Sequence, residues 1–299
     1  MPGHTGRQQY KKNNYNNHKK DQRPIIIDEN NPVLKAFQSY AIELDAKHDR
    51  YERIVKMSRD ITIESKRIIF LLHSIDVRKN NKQKVLEEAR TRLEKVIACN
   101  FKAIAEELHG HDPYQFRGAY SPGLQEFIEA YTFMEYIKYV ENDSEGAGGD
   151  EGGEMSDWNA LQKKMTYPAS EEKEVKDEEE ITTSSKASTM FFVDPNEYIL
   201  GVSDLTGELM RRCINSLCSG ETDTTMACCK ALQKFFTGYI SLNVHRCREL
   251  SRKIYTMRQS VLKAENVCYN VKVRGGEAAK WGAMFDSKSI ADDIDEGFF

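Results

Sequence analysis

Between Asp49 and Leu72 the apolar residues Tyr51, Ile54, Val55, Ile61, Ile68, Ile69 and Leu72 recur at helical spacing, while Lys56, Arg59, Lys66 and Arg67 take other positions. A second amphipathic pattern runs from Lys82 to Leu108, with Val85, Leu86, Ala89, Leu93, Val96, Ile97, Phe101, Ile104 and Leu108 as its stripe. His109-Gly110-His111-Asp112-Pro113 closes it, since Gly suits a helix C-terminus and Pro cannot continue the turn. The two histidines read as part of a plain loop. Ser121 followed by Pro122 has the form of a helix start, hydroxyl cap then Pro, and predicts a helix to about Val140. Its Leu124, Phe127, Ile128 and Tyr131 share one face, and Ala130, Phe133, Ile137 and Val140 lie on another. A helix apolar on two sides belongs in the middle of a bundle. Asp194-Pro195-Asn196-Glu197 combines the Asp-x-x-Glu form of a capping box with a Pro at the first helical position, and predicts a helix to about Leu217. Further helices are expected over roughly 224–239 and 244–271, the last with Leu250, Ile254, Met257, Val261, Ala264, Val267, Cys268 and Val271 as its stripe. There is no convincing β-hairpin, no G-x-G-x-x-G and no Walker A loop. The expected fold is all-α, one bundle of about five to seven helices.

Two stretches lack this periodicity. Residues 1–30 are rich in Asn, Gln and Lys, and residues 1–23 carry six basic side chains against Asp21, a net of +5. They read as a disordered basic tail, and Lys11-Lys12 with Lys19-Lys20 has the form of a split nuclear-import signal. Residues 141–186 carry fourteen acids against five lysines, a net of −9, and read as an acidic disordered insertion in a helical domain spanning 31–276. A C-terminal tail covers 277–299. With the whole chain at −4, the remaining body is neutral, so bulk charge alone does not suit it to gripping nucleic acid. The seven cysteines show no C-x-x-C and read as free thiols packed in a helical core. No apolar run is long enough for a membrane span, no signal-peptide core is present, and a reducing cytoplasmic or nuclear setting is expected.

The chemistry lies in four carboxylates. Glu126 and Glu129 are three residues apart, and Asp204 and Glu208 four apart, so each pair shares a helix face. Brought together, the pairs would form an all-oxygen nest suited to a hard cation such as Mg²⁺. Acids on a partly buried face need compensation, and Arg211 or Arg212 could supply it instead of a cation. On the second helix, pattern alone makes Asp204, Glu208, Arg211 and Asn215 a solvated polar face opposite Val202, Leu205, Leu209 and Cys213. Gly201 and Gly207 bracket its acids and permit close approach.

Several phrases carry a family resemblance: residues 49–56 (DRYERIVK), 121–130 (SPGLQEFIEA), 198–211 (YILGVSDLTGELMR) and 271–275 (VKVRG). Over about 45–140 and 190–276 the chain resembles the translin-associated branch of the translin family. The resemblance implies an all-α subunit that assembles with translin in a barrel-like hetero-oligomer, usually an octamer. It implies a Mg²⁺-dependent endoribonuclease acting on single-stranded or nicked RNA, which promotes RISC activation by removing the siRNA passenger strand. The family's catalytic acids fall on Glu126, Glu129 and Asp204, with Glu208 as a fourth metal-site member. Glu129 and Asp204 are read as direct ligands; Glu126 and Glu208 could be ligands, hold coordinated water or accept its proton. Arg59, Lys66, Arg67, Arg90 and Arg92 are candidate RNA contacts. A non-catalytic scaffold that stabilises translin and its single-strand binding is the competing expectation.

Overall fold

The computed structural model describes residues 31–140, 155–168, 188–242 and 247–274; the basic tail, the import-like lysine pairs, most of the acidic insertion and the C-terminal tail lie outside them. Eight α-helices occur among the described residues: α1 (Pro32–His73), α2 (Lys82–Val96), α3 (Lys102–Leu108), α4 (Arg117–Glu135), α5 (Trp158–Lys164), α6 (Pro195–Cys218), α7 (Thr222–Ile240) and α8 (Arg248–Arg274). A π turn at Ile97–Phe101 joins α2 to α3, so the single stripe expected over 82–108 forms one rod and the eight helices make seven. The all-α fold holds. The only strands among the described residues are two short antiparallel segments, Thr166–Tyr167 and Thr189–Met190.

The chain divides at Lys47. In the first unit, the opening turns of α1 expose Val33, Phe37, Tyr40, Ile42 and Leu44. The second unit holds the bundle. The stripe of α1 beyond residue 48 is buried through Ile54, Ile61, Ile68 and Leu72. α4 is apolar on two sides, with Leu124, Phe127, Ile128, Ala130, Phe133 and Ile137 of the adjoining π turn all fully enclosed, as its pattern required.

Two glycines set the spacing around α4. A Cβ on Gly123 would stand 2.6 Å from the carbonyl and hydroxyl oxygens of Ser58 on α1. One on Gly201 would stand 2.7 Å from Ile128 Cβ and 3.0 Å from the Gln125 carbonyl oxygen. α4 is thus held at backbone distance by α1 on one side and α6 on the other, and that contact brings the two acidic pairs together. Gly207, expected to permit a similar approach, faces open space. Gly201→Val is therefore expected to lower stability by about 1–3 kcal/mol, because Ile128 is enclosed on every side and cannot yield. Gly207→Ala should not lower it, since Ala is the better helix former. Denaturant unfolding of the two variants checks both.

Three boundaries differ from expectation. α4 begins at Arg117, not at Ser121, because the 3₁₀ turn Pro113–Phe116, capped by Asp112, runs straight into it. Pro122 then sits inside the helix, where it gives up only one early backbone bond. The capping box at 194–197 is half realised: the Asp194 side chain accepts from the Asn196 N–H, but Glu197 turns inward to α4. Finally, the stretch expected to be disordered over 141–186 contains α5. Leu161 and Met165 are fully buried, and Trp158 donates its indole N–H to the Val193 carbonyl. Those apolar residues supply a packing face that the surrounding acids obscure in any window average. Cys213, Cys228, Cys229 and Cys268 are buried among α6, α7 and α8, as expected of core thiols, whereas Cys99 and Cys218 are exposed.

Candidate functional site

The four acids converge from two helices. Glu129, on α4, is half-buried, and its carboxyl is pushed up to about 8, first by burial and then by the negative charges of Asp204, Glu208 and Glu126. The packing of Gly201 of α6 against Ile128 and the Gln125 carbonyl of α4 sets the acids of the two helices side by side. Asp204 is also raised by burial, an effect opposed by the Lys253 ammonium. The polar-face reading of α6 fails for Glu208, which is only 8% exposed.

Three of the four acids have a cationic or imidazole partner. Lys66 Nζ of α1 lies 3.1 Å from Glu126 Oε1. His73 Nε2, at the end of α1, lies 2.5 Å from Glu208 Oε2, and Arg211 Nη2 lies 3.5 Å from its other oxygen. Lys253 Nζ of α8 donates to Asp204 Oδ2 at 2.7 Å. Glu129 makes no ion pair among the described residues. Arg211 thus supplies part of the expected arginine compensation, for Glu208. Lys66, His73 and Lys253 were not foreseen in that role, because the helix that carries each lies far from the acids in sequence.

A second buried acid stands behind the first four. Glu197 is 1% exposed and accepts from Arg117 Nε, the Ser121 hydroxyl and Gln125 Nε2. This is where Ser121, expected as a helix cap, spends its hydroxyl. Gln125 continues the chain of bonds, since its Oε1 accepts from Lys253 at 2.8 Å.

Of the candidate RNA contacts, Lys66 lies beside the acids. Arg67 and Arg92 share Glu64, Arg92 also reaches Glu88, and Arg90 bonds Glu94. Arg59 is exposed on α1. Only Lys66 among the five is drawn to the carboxylate cluster.

As donors, the four carboxylates suit a hard oxygen-seeking cation, and the charge they concentrate at Glu129 is what such an ion would relieve. Among the described residues no three His, Cys, Asp or Glu side chains stand already arranged to hold a metal. Lys66, His73 and Lys253 each occupy one of these carboxylates in this arrangement.

An all-α bundle with a half-buried, internally compensated acid cluster where α4 and α6 meet defines a helical protein with an acidic site. The translin family model matches residues 49–275, and the chain belongs to the translin family. It is 38% identical over 307 residues to Translin-associated protein X of Pongo abelii, covering 99% of both chains. It is 40% identical over 256 residues to that of Mus musculus, covering 83% of this chain and 81% of the relative. The fold is similar to the crystal structure of apo-NeC3PO, with a TM-score of 0.51 and 20% identity over 79% of this chain and 95% of that one.

Proposed function

We propose that this chain is the catalytic subunit of a Mg²⁺-dependent endoribonuclease formed with translin. The complex cleaves single-stranded or nicked RNA and promotes RISC activation by removing the siRNA passenger strand, in cytoplasm and nucleus. The observation that carries this reading is the contact of α6 with α4 at Gly201, which sets Asp204 and Glu208 beside the half-buried Glu129 and Glu126. Burying that much like charge is costly, and folded chains tend to retain it where function uses it.

In this reading Glu129 and Asp204 hold the ion, with Glu126 and Glu208 beside them. Mg²⁺ bound there supplies a water of lowered pKa and a positive charge next to the scissile phosphate. The chain's own groups do the rest. Asp204 keeps one oxygen on Lys253 and has the other to offer. Glu208, steadied by His73, is placed to hold a water or accept its proton. Lys66, exposed on α1 beside Glu126, is placed to meet a backbone phosphate. Exposed Phe70 on α1, and Tyr255, Tyr269 and Val273 on α8, give the bundle apolar surface of the kind a subunit partner covers, which supports assembly with translin.

One observation favours the scaffold alternative: three of the four acids already have protein partners, as structural ion pairs would. RNA cleavage by the reconstituted complex separates the two readings. Loss of cleavage by Asp204→Ala and Glu129→Gln, with assembly intact, is expected; undiminished cleavage by either would leave only the scaffold.

A further inference from the structure

Lys253 is tightly held. Its ammonium carries three protons, and three acceptors receive them: Asp204 Oδ2 at 2.7 Å, Gln125 Oε1 at 2.8 Å and the Leu200 carbonyl oxygen at 3.1 Å. Its side chain is 18% exposed. The three acceptors belong to α4 and α6, the helices that carry the acids, whereas the lysine itself belongs to α8. It thus bonds both acid-bearing helices from a third. The Leu200 carbonyl is adjacent to Gly201, the point of closest approach of α6 to α4. Gln125 is adjacent to Glu126 and is held from its other side by Glu197. Lys253 therefore grips the acid cluster at its seam.

The charge has a second consequence. An ammonium bonded to one oxygen of a ligand carboxylate opposes any cation that approaches the other oxygen. It also relieves repulsion among the acids whenever no ion is there. These two effects have opposite signs on metal affinity and on the stability of the metal-free protein, so they can be separated.

We propose that Lys253 is a tethered counter-cation of the carboxylate site, a positioning residue that holds Asp204 and Gln125 in register and lowers the site's affinity for a divalent ion. This rests on the reading of the acids as a divalent-ion site. A site weakened in this way exchanges its ion readily and fills only at the millimolar concentrations characteristic of Mg²⁺ in cells. Oxygen-only sites without a built-in cation hold their ions more tightly, at a charge-dependent cost to the apo fold.

The test uses the full-length chain co-purified with translin, with Mn²⁺ as the probe ion, followed by electron paramagnetic resonance and calorimetry, together with thermal unfolding in EDTA. Lys253→Gln removes the charge while keeping a donor for Asp204. It is expected to bind Mn²⁺ about tenfold more tightly and to unfold several degrees lower in EDTA. The affinity gap should narrow in high salt. Lys253→Arg, which keeps the charge, should restore both quantities toward those of the parent chain. Binding by the parent with equal or weaker binding by Lys253→Gln overturns this proposal and leaves the metal-site reading standing. Binding of Mn²⁺ by neither chain overturns both. A fall in unfolding temperature without tighter binding marks Lys253 as merely structural and equally overturns the proposal.

Discussion

Glu129→Gln, assembled with translin, is expected to lose RNA cleavage by roughly two to three orders of magnitude, the range typical of removing one group that stabilises transition-state charge. The same variant is expected to make the metal-free chain more stable at alkaline pH. The sign follows from the carboxyl's value, which is about 8 in the folded chain against an ordinary 4.5. Between those two values the folded state binds the proton that the unfolded state has released. Stability therefore falls as pH rises through that window, by at most about 1.4 kcal/mol for each pH unit, and is level on either side of it. Asp204, raised in the same direction, adds to the slope. Glutamine has no proton to lose, so Glu129→Gln removes its share of that slope. Urea unfolding in EDTA should show the variant and its parent nearly equal at pH 4.5, with the variant the more stable at pH 8.5. A variant that loses activity while gaining stability cannot owe its defect to misfolding. If instead the parent's stability does not decline between those pH values, Glu129 is well solvated and the four carboxylates do not repel one another strongly enough to call for a divalent ion.

The parts of this molecule that could be read from sequence are those written in short-range pattern. The helical stripes of α1, α2–α3, α4 and α8 bury most of the residues their spacing selects, because a 3.6-residue period has one meaning over ten or more positions. The acidic pairs were likewise visible, since i,i+3 and i,i+4 spacing places side chains on one face whatever the fold. What escaped depends on partners far apart in the chain. Nothing local distinguishes Lys253 from Lys263 on the same helix, and only the packing of α8 across the seam of α4 and α6 does so. Glu197 occupies the right place for a capping box, yet three donors from α4 outbid the backbone N–H that local geometry offers. Ser121 and Pro122 mimic a helix start because the turn before them, capped by Asp112, already provides one. α5 was hidden by averaging: four apolar residues, Trp158, Leu161, Met165 and Tyr167, sit in a stretch whose net charge is read first.

Arg117→Ala is expected to cost about 2–4 kcal/mol, more than a partly exposed arginine normally contributes, because it leaves the Glu197 carboxylate enclosed without its cation. Glu197 lies only 1% exposed, while the Arg117 side chain is 42% exposed, so the burden of burial falls on the acid. Water can still approach from the arginine side, which places the expected value toward the lower end of what a fully enclosed pair would lose. The uncharged partners Ser121 and Gln125 cannot neutralise a full negative charge, although both would continue to donate to it. Glu197→Gln removes the charge and keeps an acceptor for them. The double variant Arg117→Ala with Glu197→Gln should therefore recover at least half of the loss, a coupling that a double-mutant cycle in urea would measure directly. Strictly additive losses would mean that Arg117 acts through packing of its aliphatic stem rather than through charge. The cycle also reports on the site itself. Gln125 bridges Glu197 to Lys253, and Lys253 holds Asp204, so disturbing the first ion pair reaches the candidate ligand through three successive hydrogen bonds. Cleavage by Arg117→Ala should fall further than its stability loss explains at temperatures where the fold remains intact, because Asp204 is then less firmly placed. Restoration of cleavage by the double variant would tie that loss to the charge at Glu197 rather than to the missing arginine as an RNA contact.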